Sequence, residues 1–373
     1  MNVQAEVKKR YSEGAKEVQD ELCCPVDYDR ELLAMLPQEI IDKDYGCGDP
    51  SRYVQQGDVV LDLGSGGGKI CYMAAQQVGE AGQVIGIDMN DDMLALARKY
   101  QSEMTDKLGN DRVTFHKGYI QDLALNVNAM ETYLAENPVT NAHDLERLHN
   151  WQAEHRRTTP MIPNNSVDLV ISNCVLNLVD DVHKAQLIQE IYRVLKPGGR
   201  IAISDIVSDD PVPEHLKQDN ALWSGCISGA FQERAFIDAF AQAGFRAMTY
   251  DKWDATPWRV VEDIEFRSVT LTAIKGEDAS HQDYGHAVIY RGPHASITDD
   301  DGHVFPRGAR MTVSEHTYKL LTESSVYTND FIGIDPAQKH EPVSYCAPAG
   351  TRRSTAETRS ALHNTGKKDG GGC

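Results

Sequence analysis

The chain has 373 residues, with 37 basic against 56 acidic side chains and a formal net charge of −19. That length accommodates a full α/β domain and a second unit. The acidic balance argues against a nucleic-acid or anionic-membrane partner. No stretch reaches the roughly 18 apolar residues of a membrane-spanning helix, and the N-terminal MNVQAEVKKRYSEG has no apolar run of the export type. The cysteines are Cys23, Cys24, Cys47, Cys71, Cys174, Cys226, Cys346 and Cys373, with no C-x-x-C among them. Without an export signal they read as thiols rather than a disulfide framework, so the chain is expected in the cytoplasm.

Taken in order, 3–36 reads as polar amphipathic helix interrupted at Cys23-Cys24-Pro25, where proline limits the helix before it. The loop Tyr45-Gly46-Cys47-Gly48-Asp49-Pro50 follows, its cysteine on a bendable glycine-flanked backbone. Strands and helices then alternate, as in a doubly wound parallel sheet. Strands are expected at Val59–Leu63, Gln83–Asp88, Arg112–His116, Val167–Ser172 and Arg200–Asp205. Asn90 is a candidate N-cap, with Asp91 and Asp92 in the first turn behind it. Lys196-Pro197-Gly198-Gly199 reads as a helix stop.

The polar insertion 123–163, partly helical, interrupts the alternation and is expected to act as a lid. Phe245–Trp253 and Ile264–Lys275 would complete a seven-stranded sheet. From Gly285 to Ile334 the texture changes to short alternating strands, and 347–373 is expected to be disordered. The division expected is 1–56 (helices and the Cys47 loop), 57–280 (the sheet domain), 281–346 (a small β-containing domain) and 347–373 (a tail).

The stretch Val59-Val60-Leu61-Asp62-Leu63-Gly64-Ser65-Gly66-Gly67-Gly68-Lys69 joins a buried strand to a helix through a glycine-rich turn, the nucleotide-binding entrance of an open α/β sheet. The dinucleotide fingerprint fails because Lys69 stands where its last glycine belongs, and the P-loop pattern fails because Ile70 follows that lysine. What remains, D-x-G-x-G-x-G over 62–68, resembles the motif of S-adenosylmethionine (SAM) methyltransferases. That resemblance implies that Gly64, Ser65, Gly66 and Gly68 receive the methionine end of the cofactor. Asp88, ending the second strand, is placed to accept from ribose hydroxyls. Asp62 could face the ammonium or sulfonium side. Met89 and Ile120 follow strands two and three, where they would either sandwich adenine or belong to the core.

The acceptor is approached through the thiols. Cys174 lies just past strand four, Cys226 on a glycine-flanked loop after strand five, Cys47 before the sheet, and Cys71 in the first turn of the helix after the glycines. That helix N-terminus is expected to stabilise the Cys71 thiolate. Each is separately readable as a small buried hydrophobe, yet all four lie on segments able to converge at one sheet edge. Structural zinc sites usually show local cysteine pairs, whereas these are single and widely spaced; other thiophilic centres suit such a set. Trivalent arsenic held by three sulfurs keeps a lone pair and needs no catalytic base.

The segments DYGCGDP (44–50), VVLDLGSGGGKICYMA (59–74), VIGIDMN (84–90), VDLVISNCVLNLV (167–179), RVLKPGGRIAISDI (193–206) and CISGA (226–230) resemble arsenite methyltransferases of the class I SAM-dependent family. The resemblance implies a Rossmann-like sheet of seven mostly parallel strands, SAM as methyl donor, and Cys174 and Cys226 as core As(III) ligands with Cys47 as the third. It places Tyr72 and Asn173 in the cofactor pocket. It also implies that Cys71 joins a redox cycle closed by thioredoxin or glutathione, with arsenite or its glutathione conjugate as substrate. Two rival expectations are a small-molecule SAM methyltransferase with structural cysteines and a thiol-based metalloid-binding protein.

Overall fold

The computed structural model describes residues 3–358 apart from 18, 20–25, 277–281, 325, 328, 339–340 and 349, so Cys23, Cys24 and Cys373 lie outside the described residues. The chain divides into two units, Met1–Gly276 and Glu277–Cys373.

The first unit begins with α1 (Val3–Lys16), α2 (Arg30–Ala34) and α3 (Gln38–Asp42). The alternating core follows: β1 (Val59–Leu63), α4 (Lys69–Gln77), β2 (Gln83–Asp88), α5 (Asp91–Lys99), α6 (Gln101–Leu108) and β3 (Val113–Lys117). Next come α7 (Val127–Glu136), α8 (Ala142–Thr158), β4 (Val167–Asn173), α9 (Asp181–Val194) and β5 (Leu195–Ser208). The unit ends with α10 (Glu214–Lys217), α11 (Asn220–Ser224), β6 (Phe231–Gln232), α12 (Glu233–Gln242), β7 (Phe245–Trp253), β8 (Arg259–Val261) and β9 (Ile264–Lys275).

The sheet runs β3-β2-β1-β4-β5-β9-β7, with β6 and β8 as short additions. β1, β2, β3, β4 and β5 pair in parallel, while β9 runs antiparallel to both β5 and β7. Strand order reverses between β1 and β4. This is the switch point at which ligands enter open α/β sheets.

Alternate side chains of the strands feed two cores. Leu61, Leu63, Val170, Ile201 and Ile203 pack with α9 and α12 on one face. Val60, Leu169, Ile171 and Ala202 pack with α4 and α5 on the other. Burial on both faces explains why these strands read as continuous apolar runs. Asn90 caps α5 by accepting from the backbone N–H groups of Asp92 and Met93 at 3.0 and 3.3 Å.

The helix stop expected at Lys196–Gly199 is where the helix ends: α9 stops at Val194, and Lys196–Gly199 lies within β5, which the backbone enters at once. The insertion is helical as expected, with Tyr133 of α7 stacked on Trp151 of α8 at 4.7 Å, and Arg156 forks onto the Asp122 carboxylate at 2.8–3.1 Å.

The second unit holds β10 (Gln282–Asp283), β11 (Ala287–Tyr290), β12 (Ser296–Thr298), β13 (Val304–Pro306), β14 (Arg310–Thr312), α13 (Glu315–Glu323), β15 (Phe331–Ile334) and β16 (Val343–Ser344). Its core is Val288, Tyr290, Phe305, Met311, Val313, Leu321 and Phe331. The expected disorder of 347–373 is corrected for its described part. Arg352 bridges to Met311, and Arg310 donates to the Thr358 hydroxyl at 2.7 Å, so backbone pairing outweighs the polar composition there.

Candidate active site

A cavity opens at the switch point, lined by the glycine turn, by Asp62, Asp88, Met89 and Ile120, and by Asn173 and Cys174. Within the turn, Gly66 donates its N–H to Asp88 at 2.9 Å, and Asn90 donates its backbone N–H to the other Asp88 oxygen at 2.8 Å. Ser65 contributes a buried hydroxyl with no partner among the described residues. Three carboxylates, Asp44, Asp62 and Asp88, share this end of the site. Burial raises the Asp62 carboxyl to about 7, and the charges of Asp44 and Asp88 add to it against the hydrogen bond from Cys71. Crowded acids, an orphan hydroxyl and exposed glycine backbone suit a cationic ligand bearing an ammonium and a sulfonium.

Of the residues expected at the cofactor, Asp62, Gly64, Ser65, Gly66, Asp88, Met89, Ile120 and Asn173 border the cavity, and Gly68 and Tyr72 do not. Gly68 is the left-handed N-cap of α4 at φ +87°, and a Cβ there would lie 2.9 Å from the Phe115 ring. Its glycine serves helix entry. Tyr72 is wholly buried, packs edge-on to Phe115 and spends its hydroxyl on the Ala97 carbonyl at 2.8 Å.

Asn173 borders the cavity but its carboxamide is directed to the Cys47 loop. Its Oδ1 accepts from the Cys47 and Gly48 N–H groups at 2.9 and 3.0 Å, and its Nδ2 donates to the Gly48 carbonyl at 2.9 Å and to the Tyr28 hydroxyl at 3.2 Å. The flanking glycines make this approach possible. A Cβ on Gly46 would stand 2.0 Å from Asn173 Nδ2, and one on Gly48 would stand 2.4 Å from Ser204 Oγ. The Cys47 carbonyl is held from the far side by Ser268 Oγ at 2.6 Å and Lys252 Nζ at 3.1 Å. Asn173, expected from resemblance at the cofactor, thus borders the cavity and also clamps the backbone of the Cys47 loop.

Cys47, Cys174 and Cys226 are all buried and share one cluster with Ile206, Phe266 and Ile227. The Cys226 thiol donates to the Cys174 carbonyl at 3.4 Å. The Cys47 and Cys174 sulfurs and an Asp205 carboxylate oxygen lie within 4.8 Å of one another. Both Cys174 and Cys226 have left-handed backbone, each at φ +62°. For a residue with a Cβ that conformation costs about 1–2 kcal/mol, and such outliers gather at functional sites. Asp205 stabilises the turn after Cys174 by accepting from the Leu176 and Asn177 N–H groups at 2.9 and 3.4 Å. Burial raises its carboxyl to about 6. Sequence reading passed over Asp205, although its place at the end of the RIAISD run, one residue past the Ser204 that pairs with Asn173, was a usable signal.

Cys71 stands apart. It lies in the other core, wholly buried, and its thiol donates to Asp62 at 3.2 Å. The expectation of a thiolate stabilised by the helix N-terminus is corrected: burial first, then the Asp62 charge, push its pKa well above the ordinary thiol range. A helix end contributes only about 0.3–1 kcal/mol, less than the cost of a buried charge beside a carboxylate.

The insertion does not close the cavity. None of the residues lining the cavity belongs to α7 or α8, whereas Val7, Lys8 and Tyr11 of α1 do.

A reversing parallel sheet, a glycine turn ending β1 and an acid ending β2 define a class I SAM-dependent methyltransferase. A methyltransferase-domain family model matches residues 55–244, and a family of unknown function matches residues 277–363. An arsenite methyltransferase of Aquipseudomonas alcaligenes is 30% identical, covering 84% of each chain. The human arsenite methyltransferase is 31% identical over 84% of this chain and 77% of its own. The crystal structure of an arsenic(III) SAM methyltransferase from Chlamydomonas reinhardtii superposes with a TM-score of 0.56 at 29% identity, over 87% of this chain and all of that one. The chain belongs to the arsenite methyltransferase family.

Proposed function

We propose that this protein is a SAM-dependent arsenite methyltransferase that transfers methyl groups to trivalent arsenic held by Cys174, Cys226 and Cys47, giving mono-, di- and, with further turnover, trimethylated products. The observation that carries the reading is the gathering of these three thiols, from segments far apart in sequence, into one buried cluster bordering the cofactor cavity. When bound, SAM supplies an electrophilic methyl group. The glycine turn and Ser65 would hold its methionine end, and Asp88 its ribose. Met89 and Ile120 wall the cavity beyond Asp88, where adenine would lie.

Thiolates arranged around arsenic leave its lone pair as the nucleophile, so no side chain has to remove a proton during methyl transfer. The residues hold arsenic and methyl close and collinear. The arsenic, formally oxidised by accepting the methyl, returns to the trivalent state as two thiolates leave together as a disulfide. Thioredoxin or glutathione restores the thiols, and a cytoplasmic setting would supply both that reductant and arsenite as a thiol conjugate. The redox role expected of Cys71 stands on resemblance, and exchange with the site requires its bond to Asp62 to break.

Incubation with arsenite, SAM and a thiol reductant, followed by mass spectrometry of the arsenicals, tests this. Wild type should yield methylated arsenic, and Cys174→Ser should lose the first methylation. Arsenite binding without any methylated product would instead identify a thiol-based metalloid-binding protein. Retained first methylation in Cys174→Ser would overturn the ligand set.

A further inference from the structure

The turn that carries Cys174 and the loop that carries Cys226 meet through one side chain. Asn177, in the turn after Cys174, is only 1% exposed. Its Nδ2 donates to the Ile206 carbonyl at 2.7 Å and to the Cys226 carbonyl at 3.3 Å. Its backbone N–H donates to Asp205, the residue that fixes the Cys174 turn. The far end of the Cys226 loop rests on the same residue. A Cβ on Gly229 would stand 2.0 Å from the Asn177 carbonyl oxygen, and Lys184 Nζ donates to the Gly229 carbonyl at 2.5 Å.

The orientation of the Asn177 carboxamide is forced by these neighbours. Its amine faces two carbonyl oxygens, and reversing it would set Oδ1 against both. As held, Oδ1 is buried with no partner among the described residues. A buried acceptor without a partner is costly, so the position keeps its donor at the expense of an orphaned acceptor. Cys226 needs such a hold. At φ +62° its backbone lies in the left-handed region, which is disfavoured for a residue with a Cβ. Its N–H donates to the Trp223 carbonyl at 3.0 Å, and its carbonyl is the one that Asn177 takes. Pinning the peptide groups on both sides fixes the Cα–Cβ bond, and the thiol then reaches the Cys174 carbonyl at 3.4 Å.

We propose that Asn177 is a positioning residue for arsenic capture, its carboxamide holding Cys226 in the left-handed conformation that carries its sulfur toward Cys174. This rests on the reading of Cys174 and Cys226 as arsenic ligands. Without the hold, Cys226 relaxes toward ordinary backbone and its Cβ swings away. Arsenic must then restore the strained conformation as it binds, and its affinity falls with the fraction of molecules that remain binding-competent. Asn177 does not line the cofactor cavity, so SAM binding does not depend on it.

The plain alternative is that Asn177 only fills the core and satisfies buried carbonyls. Asn177→Leu separates the two, because leucine keeps the branched shape and removes the donor; Asn177→Ala is the second variant. Arsenite and SAM affinities are measured by titration on wild type, both variants, Cys226→Ala, and Asn177→Leu combined with Cys226→Ala. The proposal expects both Asn177 variants to weaken arsenite binding about five- to thirtyfold, the scale of one or two hydrogen bonds, with SAM affinity unchanged. It also expects no additional loss when Asn177→Leu is added to Cys226→Ala, because the carboxamide acts through that cysteine. Unchanged arsenite affinity in both variants would overturn it, as would an equal loss in both backgrounds. A parallel loss of SAM affinity would also overturn it, by showing that Asn177 serves the fold at large. Should Cys226→Ala itself bind arsenite normally, the ligand assignment fails and this proposal with it, an outcome that Cys226→Ala alone reveals.

Discussion

Replacing Asn173 by Ala isolates the clamp on the Cys47 loop. The carboxamide makes four hydrogen bonds, three of them to the backbone of Cys47 and Gly48 and one to the Tyr28 hydroxyl. Each is worth about 1 kcal/mol net, and a backbone N–H left without a partner in a buried setting costs about 1–3 kcal/mol. Cys47 is wholly buried and Gly48 is buried with it. Relaxation and water entry recover part of the sum, leaving an expected loss of about 2–4 kcal/mol. In a domain of this size that lowers the midpoint by roughly 2–4 °C per kcal/mol, so thermal unfolding should shift down by about 4–16 °C. Ser268 and Lys252 still hold the Cys47 carbonyl, so the loop should loosen rather than detach. Arsenite affinity should then fall toward that of Cys47→Ser, while SAM affinity changes less. A variant that melts within a degree of wild type and binds arsenite normally would refute the clamp. A selective loss of SAM affinity would restore Asn173 to the cofactor.

Three further outcomes follow from the geometry. Tyr72→Phe removes only the bond to the Ala97 carbonyl; it should cost about 1 kcal/mol in thermal unfolding and leave SAM affinity untouched, and a weakened cofactor would contradict the core placement. Among the five described cysteines, native-state alkylation followed by peptide mass spectrometry should modify exposed Cys346 first and Cys71 last; early modification of Cys71 would show that α4 opens readily. Asp62 has a folded carboxyl raised to about 7 from an ordinary value of 3.8, so the folded state binds the extra proton between those values. Its destabilising contribution is absent below about pH 4, grows as pH rises and is complete above about pH 7. Asp62→Asn should therefore raise the unfolding midpoint more at pH 8 than at pH 5, and an equal gain at both would refute the assignment.

Local sequence was sufficient wherever local chemistry dominates. Both-face burial makes β1 and β4 continuous apolar runs, and the glycines of 64–68 have no other economical use than a tight strand-to-helix turn. The acid at Asp88 and the cap at Asn90 follow from their offsets along the chain. Sequence also singled out Cys47, Cys174 and Cys226, because a cysteine between glycines or just past a strand end is conspicuous. What it could not decide was direction. Tyr72 and Asn173 lie beside cofactor motifs, yet helix phase turns Tyr72 into the core and the pairing of β4 beside the Cys47 loop turns Asn173 onto that loop. Cys71 looked activated by its helix end, but tertiary burial beside Asp62 outweighs a partial dipole charge. The part played by α1 is a matter of docking: nothing in a polar amphipathic helix announces which surface it covers, and only long-range packing places Tyr11 against the cluster that holds Cys47, Cys174 and Cys226.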